Sequence, residues 1–268
     1  MSEHPHLVPP RTKPFSMKGH TPDQTGDMTR EQALEAIVAL RLRLNELQDK
    51  LYADKRFGLL VVLQGIDAAG KDGTIKSVFQ EIGPLGCDVV NFGVPTPEEA
   101  AHDFLWRYHL HAPERGKIMI FNRSYYESVL VERVDNLVPA ETWKRRYDQI
   151  NAFEKLLVDE GTIIAKFFLH ISREEQRERL QERIDNPAKR WKFRSGDLAE
   201  RQHWDAYTTA FEDMITHCNS EAAPWYAVPA NHKWYRDVVV AQALIDRLES
   251  LKLRYPQPEA GIEGLIVD

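Results

Sequence analysis

Gly65, Asp67, Gly70, Lys71 and Thr74 follow directly on the apolar run Leu59-Leu60-Val61-Val62-Leu63-Gln64. The spacing Gly65-x-x-x-x-Gly70-Lys71 is that of a phosphate loop set between a strand and a helix. Glycine at both ends lets the backbone curl so that several N–H groups face one hollow. The helix that follows adds its positive N-terminal end, and Lys71 adds a full charge. Gly65, Ala68, Ala69, Gly70, Asp72, Gly73 and Thr74 are therefore read as phosphate- or nucleotide-binding positions. Such a hollow holds a phosphate chain and can transfer part of it. Asp72 stands after the lysine, where Ser or Thr ordinarily holds magnesium, and Thr74 lies two residues further on. A carboxylate inside a phosphate cradle repels the ligand unless a cation sits between them, so Asp67 is the candidate Mg²⁺ ligand. The plainer alternative for Asp67 is a helix cap or a turn bond.

A second group of residues closes the run Ile118-Met119-Ile120-Phe121-Asn122-Arg123-Ser124-Tyr125-Tyr126-Glu127. In many phosphate-loop proteins the corresponding strand ends in a magnesium-holding aspartate. Asn122 here is neutral, a weaker ligand or a water-orienting group. Glu127, expected on the next helical turn, either supplies the missing carboxylate or reads the acceptor. Arg123 at the strand tip is placed to clamp phosphoryl oxygens. Arg133 further along is a second candidate, against a salt-bridged surface arginine.

A third group is Arg183, Lys189, Arg190, Lys192 and Arg194, five cations facing the single acid Asp185 within residues 183–194. Asn186-Pro187 stops the preceding helix, which makes the segment an excursion between two helices. Positive charge on such a lid neutralises a transferring phosphoryl group and excludes water. The alternative is a basic surface loop with Trp191 and Phe193 packing inward. Elsewhere, Asp103 and Arg107 have the spacing of a helical ion pair, beside Trp106, which is either a base-stacking or a core aromatic. His109 and His111 lack a third ligand for a metal.

Five strands are expected to carry these residues: Leu59–Gln64, Cys87–Phe92, Lys117–Asn122, Ile163–Ile171 and Trp225–Val228. Thr29-Arg30-Glu31-Gln32 has the form of a capping box opening a helix to about Lys55. Its Ile37, Leu40, Leu44, Leu47 and Leu51 form a stripe for packing onto the domain or for a short coiled coil. Thr96-Pro97-Glu98-Glu99 and Ser172-Arg173-Glu174-Glu175 are further helix starts. Helices are also expected over Ala140–Asp159, Leu198–His217 and His232–Leu251. Buried strands alternating with helices imply a mostly parallel sheet covered on both faces, with the site at its carboxyl end. The expected division is an extended arm over 1–27, one domain over 28–255 with its lid at about 183–197, and a loose tail over 256–268.

The composition suits one large α/β domain of 268 residues, with 43% apolar and 28% charged residues. A net charge of −6 argues against nonspecific nucleic-acid binding as the main task, while leaving room for a local basic channel. Cys87 and Cys218 form no disulfide framework, and the polar, proline-rich start lacks a signal-peptide core. No stretch is long enough to span a membrane, so a reducing cytoplasm is expected.

Taken together, Gly65-x-Asp67-x-x-Gly70-Lys71-Asp72-Gly73-Thr74-Ile75-Lys76, the Asn122–Glu127 segment with Val131-Glu132-Arg133-Val134, and the Pro187…Trp191-Lys192 lid resemble the polyphosphate kinase 2 family. The likeness covers about residues 30–255. The resemblance implies a three-layer α/β/α P-loop kinase-like sandwich with a five-stranded sheet and a helical lid. It implies Mg²⁺-dependent transfer of the terminal phosphoryl group of inorganic polyphosphate to a purine nucleotide, with Mn²⁺ as a substitute metal. It also implies a cytoplasmic homo-oligomer, a dimer or a dimer of dimers. By the resemblance Asp67 is the metal-binding acid, Lys71 the phosphate lysine, Arg123 the strand-end clamp, and Arg183, Lys189 and Lys192 the lid cations. Glu127 resembles the third class of the family, which accepts both AMP and ADP. Polyphosphate offers only anionic oxygens, so Lys76, Arg123 and the lid cations are expected to line a channel to the loop. The competing readings are an ATP-dependent nucleoside monophosphate kinase of thymidylate-kinase type and a non-catalytic polyphosphate or nucleotide sensor.

Overall fold

The computed structural model describes residues 4–9, 14–262 and 264–266. After a short 3₁₀ turn at Met17–Gly19, helix α1 (Arg30–Asp54) leads into strand β1 (Gly58–Gln64). The phosphate loop joins β1 to α2 (Lys71–Val78), followed by β2 (Cys87–Asn91). Two single-turn helices, α3 (Pro97–Ala100) and α4 (Trp106–His109), precede β3 (Ile118–Asn122). A 3₁₀ turn (Tyr125–Val129), α5 (Val131–Val134) and α6 (Ala140–Asp159) lead to β4 (Thr162–His170). Then come α7 (Arg173–Asp185), a 3₁₀ turn (Arg190–Lys192), α8 (Gly196–Gln202), α9 (Trp204–His217), β5 (Trp225–Pro229) and α10 (Lys233–Ser250).

The sheet has the order β2-β3-β1-β4-β5, and every pairing is parallel. All seven residues of β1 are buried, which requires cover on both faces and explains its unbroken apolar sequence. Each large aliphatic side chain buried there contributes about 1.5–3 kcal/mol relative to exposure. Helix α1 packs along α10, and Leu44, Leu47 and Leu51 of its stripe are buried in the domain's own core. Its start is the expected capping box, with Thr29 and Gln32 each accepting from the other's backbone N–H.

The chain leaves β1 for one side of the sheet and returns through β4 to the other, so the order reverses beside β1. Leu63 is in register with Asn122, which makes the loop after β1 and the turn after β3 leave the sheet side by side. A crevice at the carboxyl ends of adjacent strands is where ligands bind in such sheets. At the opposite edge the N-terminal arm adds a short antiparallel contact, with Val8 N–H on Trp225 O and Ala227 N–H on His6 O, both at 2.9 Å. That contact covers the open edge of β5.

Three local expectations are corrected. The helix expected over Leu198–His217 is two, because the chain turns at His203 (φ −91°, ψ 21°) between α8 and α9. The break frees α9 to bury Tyr207, Ala210, Phe211, Met214 and Ile215, while α8 turns toward the phosphate loop. Arg107 pairs with Glu99 at 3.1 Å, not with Asp103, which lies before α4 and accepts from the Leu105 N–H instead. Glu127 and Arg133 do not share a helix, since Leu130 (φ −106°, ψ −82°) interrupts the chain between them.

Candidate active site

The phosphate loop takes its shape from two glycines that no other residue replaces without strain. Gly65 has φ +156° and a Cβ there would lie 2.8 Å from Leu169 O. Gly70 has φ +106° and a Cβ would lie 2.3 Å from the Arg236 guanidinium. Ala68 also takes a positive φ of 66°, and Gly70 caps α2. Inside this curl the Lys71 ammonium is buried and donates to Gly65 O at 2.5 Å. Burial and the nearby Arg123 lower its pKa, opposed by Asp67, Glu127 and Glu200. Thr74 is buried and its hydroxyl donates back to Gly70 O at 3.2 Å, so it does not face the loop as a metal-holding hydroxyl.

Arg123 stands at the tip of β3 in a left-handed conformation (φ 63°), and its guanidinium meets Asp67 Oδ1 at 2.6 Å. Burial would raise the Asp67 pKa, but Lys71 and Arg123 outweigh it and hold the carboxyl well below the usual range. The structure thus brings together Asp67, Lys71 and Arg123 as the sequence led us to expect. Glu127 is also close by. It lines the same small cavity, and burial raises its pKa against the pull of Arg123 and Lys71. Asn122 donates to Asp72 Oδ1 at 2.8 Å, and Lys192 reaches across from the cationic segment to Asp72 Oδ2 at 3.2 Å. Asp72 therefore ties α2 to the β3 tip and to the expected lid.

Other expected cations are engaged elsewhere. Arg133 is held by Asp213 (2.8 Å) and Tyr147 (3.2 Å) and lies 4.3 Å from the Trp143 ring centroid. That is the salt-bridged alternative. Arg183 pairs with Asp197 at 3.3 Å, at the base of the 186–195 segment. Lys189 pairs with Glu182 at 2.5 Å. Lys76 is exposed on the last turn of α2. Trp191 does not pack inward: it is 77% exposed.

Several residues that sequence reasoning missed complete the site. Glu200, on α8, accepts from the Asp67 N–H at 3.0 Å. Burial and the adjacent Asp67 charge push its pKa up to about 8. Asp197 is raised as well, by burial and by Asp67. The loop is also braced from behind by α7. Gln176 donates to Asp67 O at 3.1 Å, and Arg179 donates to Ala68 O at 3.0 Å and Ala69 O at 2.8 Å. The same guanidinium holds Ala230 O and Asn231 O beside β5. By anchoring these carbonyls, Arg179 fixes the curl of the loop. No composition signal marks a buried bracing arginine. The acids of α8 were hidden by the assumption of one continuous helix.

Gly65, Ile66, Asp67, Arg123, Glu127, Leu130, Val131, Glu200, Tyr207 and Phe211 enclose a cavity of about 20 Å³. A larger hollow of about 460 Å³ on the outer side of α7, lined by residues such as Arg177, Gln181 and Asp185, lacks the loop and its lysine, so we place no chemistry there. Among the described residues no group of three or more His, Cys, Asp or Glu forms a ready metal cage. Magnesium needs none, since it is bound through one or two carboxylates, water and substrate phosphates. Asp67 and Glu200, in contact at the loop, place two carboxyl groups where a divalent cation fits.

A parallel sheet with a lysine-bearing phosphate loop, an arginine at the neighbouring strand tip and a cationic segment above them defines a P-loop kinase-type phosphotransferase. The family description "Polyphosphate kinase 2 (PPK2)" matches residues 27–256, and the chain belongs to that family. A Meiothermus ruber protein named AMP/ADP-polyphosphate phosphotransferase is 52% identical over 256 residues, covering 95% of this chain and 96% of its own. A Rhodopseudomonas palustris protein named ADP-polyphosphate phosphotransferase is 46% identical over 227 residues, covering 80% and 78%. The crystal structure of polyphosphate kinase 2 from Arthrobacter aurescens TC1 superposes with a TM-score of 0.92 at 39% identity, covering 96% of this chain and 92% of that one.

Proposed function

We propose that this chain transfers the terminal phosphoryl group of inorganic polyphosphate to AMP and ADP, reversibly and with Mg²⁺. The observation that carries the reading is the convergence at one curled loop of Lys71, bonded to Gly65 O, and Asp67, whose carboxylate pairs with Arg123 from the β3 tip. The names of its relatives in Meiothermus ruber and Rhodopseudomonas palustris supply the donor and acceptors. An oxygen of the acceptor phosphate attacks the terminal phosphorus, the bridging P–O bond breaks, and the shortened chain leaves with the bond's electron pair. An acceptor phosphate is already ionised near neutral pH, so no strong base is required. The protein's work is positioning and charge stabilisation.

In this reading the loop N–H groups of Gly65, Ala68, Gly70 and Gly73 bind donor oxygens, Ala69 and Thr74 shape the loop through their N–H bonds to Ile66 O and Gly70 O, and Lys71 holds the transferring group. Arg123 takes charge that develops in the transition state. Asp67 would hold the metal, with Glu200 beside it. The metal, when bound, neutralises charge between carboxylate and phosphate; Mn²⁺ is the expected substitute. Lys192 and Lys189 guide the donor, Arg183 anchors the lid through Asp197, and Lys76 extends the cationic approach. Glu127 reads the acceptor.

Residues 1–27 act as a bracing arm, 28–255 as the catalytic domain with a lid over 183–197, and 256–268 as a tail. No helix among the described residues is long and apolar enough to cross a membrane. A cytoplasmic enzyme follows from this reading, working without nucleic acid or membrane. Assembly into dimers or dimers of dimers is part of it, supported by exposed Leu34, Val38 and Leu42 along one side of α1. The test is direct: purified protein with Mg²⁺ and long-chain polyphosphate forms ADP from AMP and ATP from ADP. Failure with both acceptors refutes the reading.

A further inference from the structure

The site has a loop and cations for phosphate but no enclosed room for a nucleobase. Its cavity of about 20 Å³ is large enough for a water, while small-molecule pockets run to hundreds of Å³. Its two aromatic walls, Tyr207 and Phe211, are 5% and 4% exposed and are committed to the core. A nucleotide whose phosphates reach the loop must therefore lay its base at the rim. Trp191 stands there. It is 77% exposed on the cationic segment, although a tryptophan left open to water forgoes the burial that its size offers. Its indole N–H donates to Ala188 O at 3.1 Å, so its one polar atom is already bonded within the segment and the ring faces are what remain to offer.

The neighbouring Lys192 ammonium fixes where this ring lies. It sits 5.1 Å from the indole centroid and 3.2 Å from Asp72 Oδ2, on the first turn of α2. One ammonium thus touches both the ring and the mouth of the phosphate loop. A flat, exposed π-face at the mouth of a phosphate site is suited to stacking a nucleotide base.

We propose that Trp191 is the stacking platform for the nucleotide base, held at the loop mouth beside the Lys192 ammonium that links its segment to Asp72. This rests on the nucleotide phosphotransferase reading and deepens it. Recognition is by stacking, with no hydrogen bond to the base edge. Adenine and guanine nucleotides are then accepted comparably, and pyrimidine nucleotides, with smaller rings, more weakly.

The test compares Trp191→Ala and Trp191→Phe with the parent protein in two measurements. In steady-state assays, Trp191→Ala raises the nucleotide KM by about tenfold. It leaves the polyphosphate KM and the Tm unchanged, and Trp191→Phe recovers most of the loss. In fluorescence titrations without donor, AMP and ADP quench the parent protein, quench Trp191→Phe much less, and inorganic pyrophosphate, which has no base, quenches neither. An unchanged nucleotide KM in Trp191→Ala, an equal rise in both KM values, or equal quenching of the parent and Trp191→Phe overturns the proposal. The titration requires no turnover. If the parent protein fails to use polyphosphate, the kinase reading falls while the quenching still decides the role of Trp191.

Discussion

Two residues divide the chemistry at the loop. Lys71 is buried and bonded to the loop itself at Gly65 O, so its charge is fixed in place before any phosphate arrives. Preorganised charge of this kind is worth more than a mobile one, because nothing has to reorient during transfer. Lys71→Ala is expected to lower kcat by about 10²–10³-fold with an unchanged Tm, measured by ADP formation and thermal melting. Near-normal turnover would remove the loop from the mechanism. Glu127 lies on the 3₁₀ turn beyond Arg123 and lines the loop cavity, where the proposed function puts the acceptor phosphate. Glu127→Asn is expected to change the AMP to ADP ratio of kcat/KM by an order of about tenfold. An unchanged ratio, read from parallel assays with both acceptors, would show that Glu127 does not select. Both residues were legible in the sequence, since a lysine after a glycine turn and a glutamate near a strand tip need no tertiary knowledge. Glu200 was not, because its approach to Asp67 depends on a helix break at His203 that no glycine or proline announces.

The elements around the site hold it through specific junctions. Asp72 joins α2, the β3 tip through Asn122 and the cationic segment through Lys192. Lys192→Ala is expected to slow transfer and to lower the slope of log KM for polyphosphate against log salt by about one unit, measured between low and moderate ionic strength. A salt response identical to the parent's would make 186–195 an ordinary surface loop. The N-terminal arm is a junction of a different kind. His6 bonds the Tyr235 hydroxyl at 2.9 Å, and burial with neighbouring His4 and His20 lowers its pKa from 6.5 to about 4. The folded pKa lies below the unfolded one, so docking is fully stable above about pH 6.5 and weakens as pH falls toward 4. Hydrogen-exchange protection of the Val8 amide should fall across that window while the amide of Val61 in β1 keeps its protection, and His6→Gln should flatten the change. Protection of Val8 that is constant with pH would contradict this. The strands and capped helices were readable because apolar runs and capping boxes are local signals. The sequence left Arg133 open between a phosphate contact and a surface ion pair, and in the structure it pairs with Asp213.

At the scale of the molecule, a chain of net charge −6 brings Lys71, Arg123 and Lys192 together with Asp67 and Asp72 at one end of one sheet. The reversal of strand order beside β1 creates that end, α7 braces the loop from behind, and the arm covers the β5 edge. The alternation of strands and helices made this architecture legible, but bracing by Arg179 and Gln176 was not, because it arises from contacts between segments over 100 residues apart. The account holds that the phosphate loop at this end takes its phosphoryl group from a chain of bare phosphates. The most direct measurement supplies AMP and Mg²⁺ with either long-chain polyphosphate or ATP as the only donor and follows ADP and the polyphosphate end groups by ³¹P NMR. The account predicts that polyphosphate alone drives ADP formation, with the chain losing one phosphate for each ADP present and two for each ATP formed from AMP. ADP formation with ATP and none with polyphosphate would contradict it.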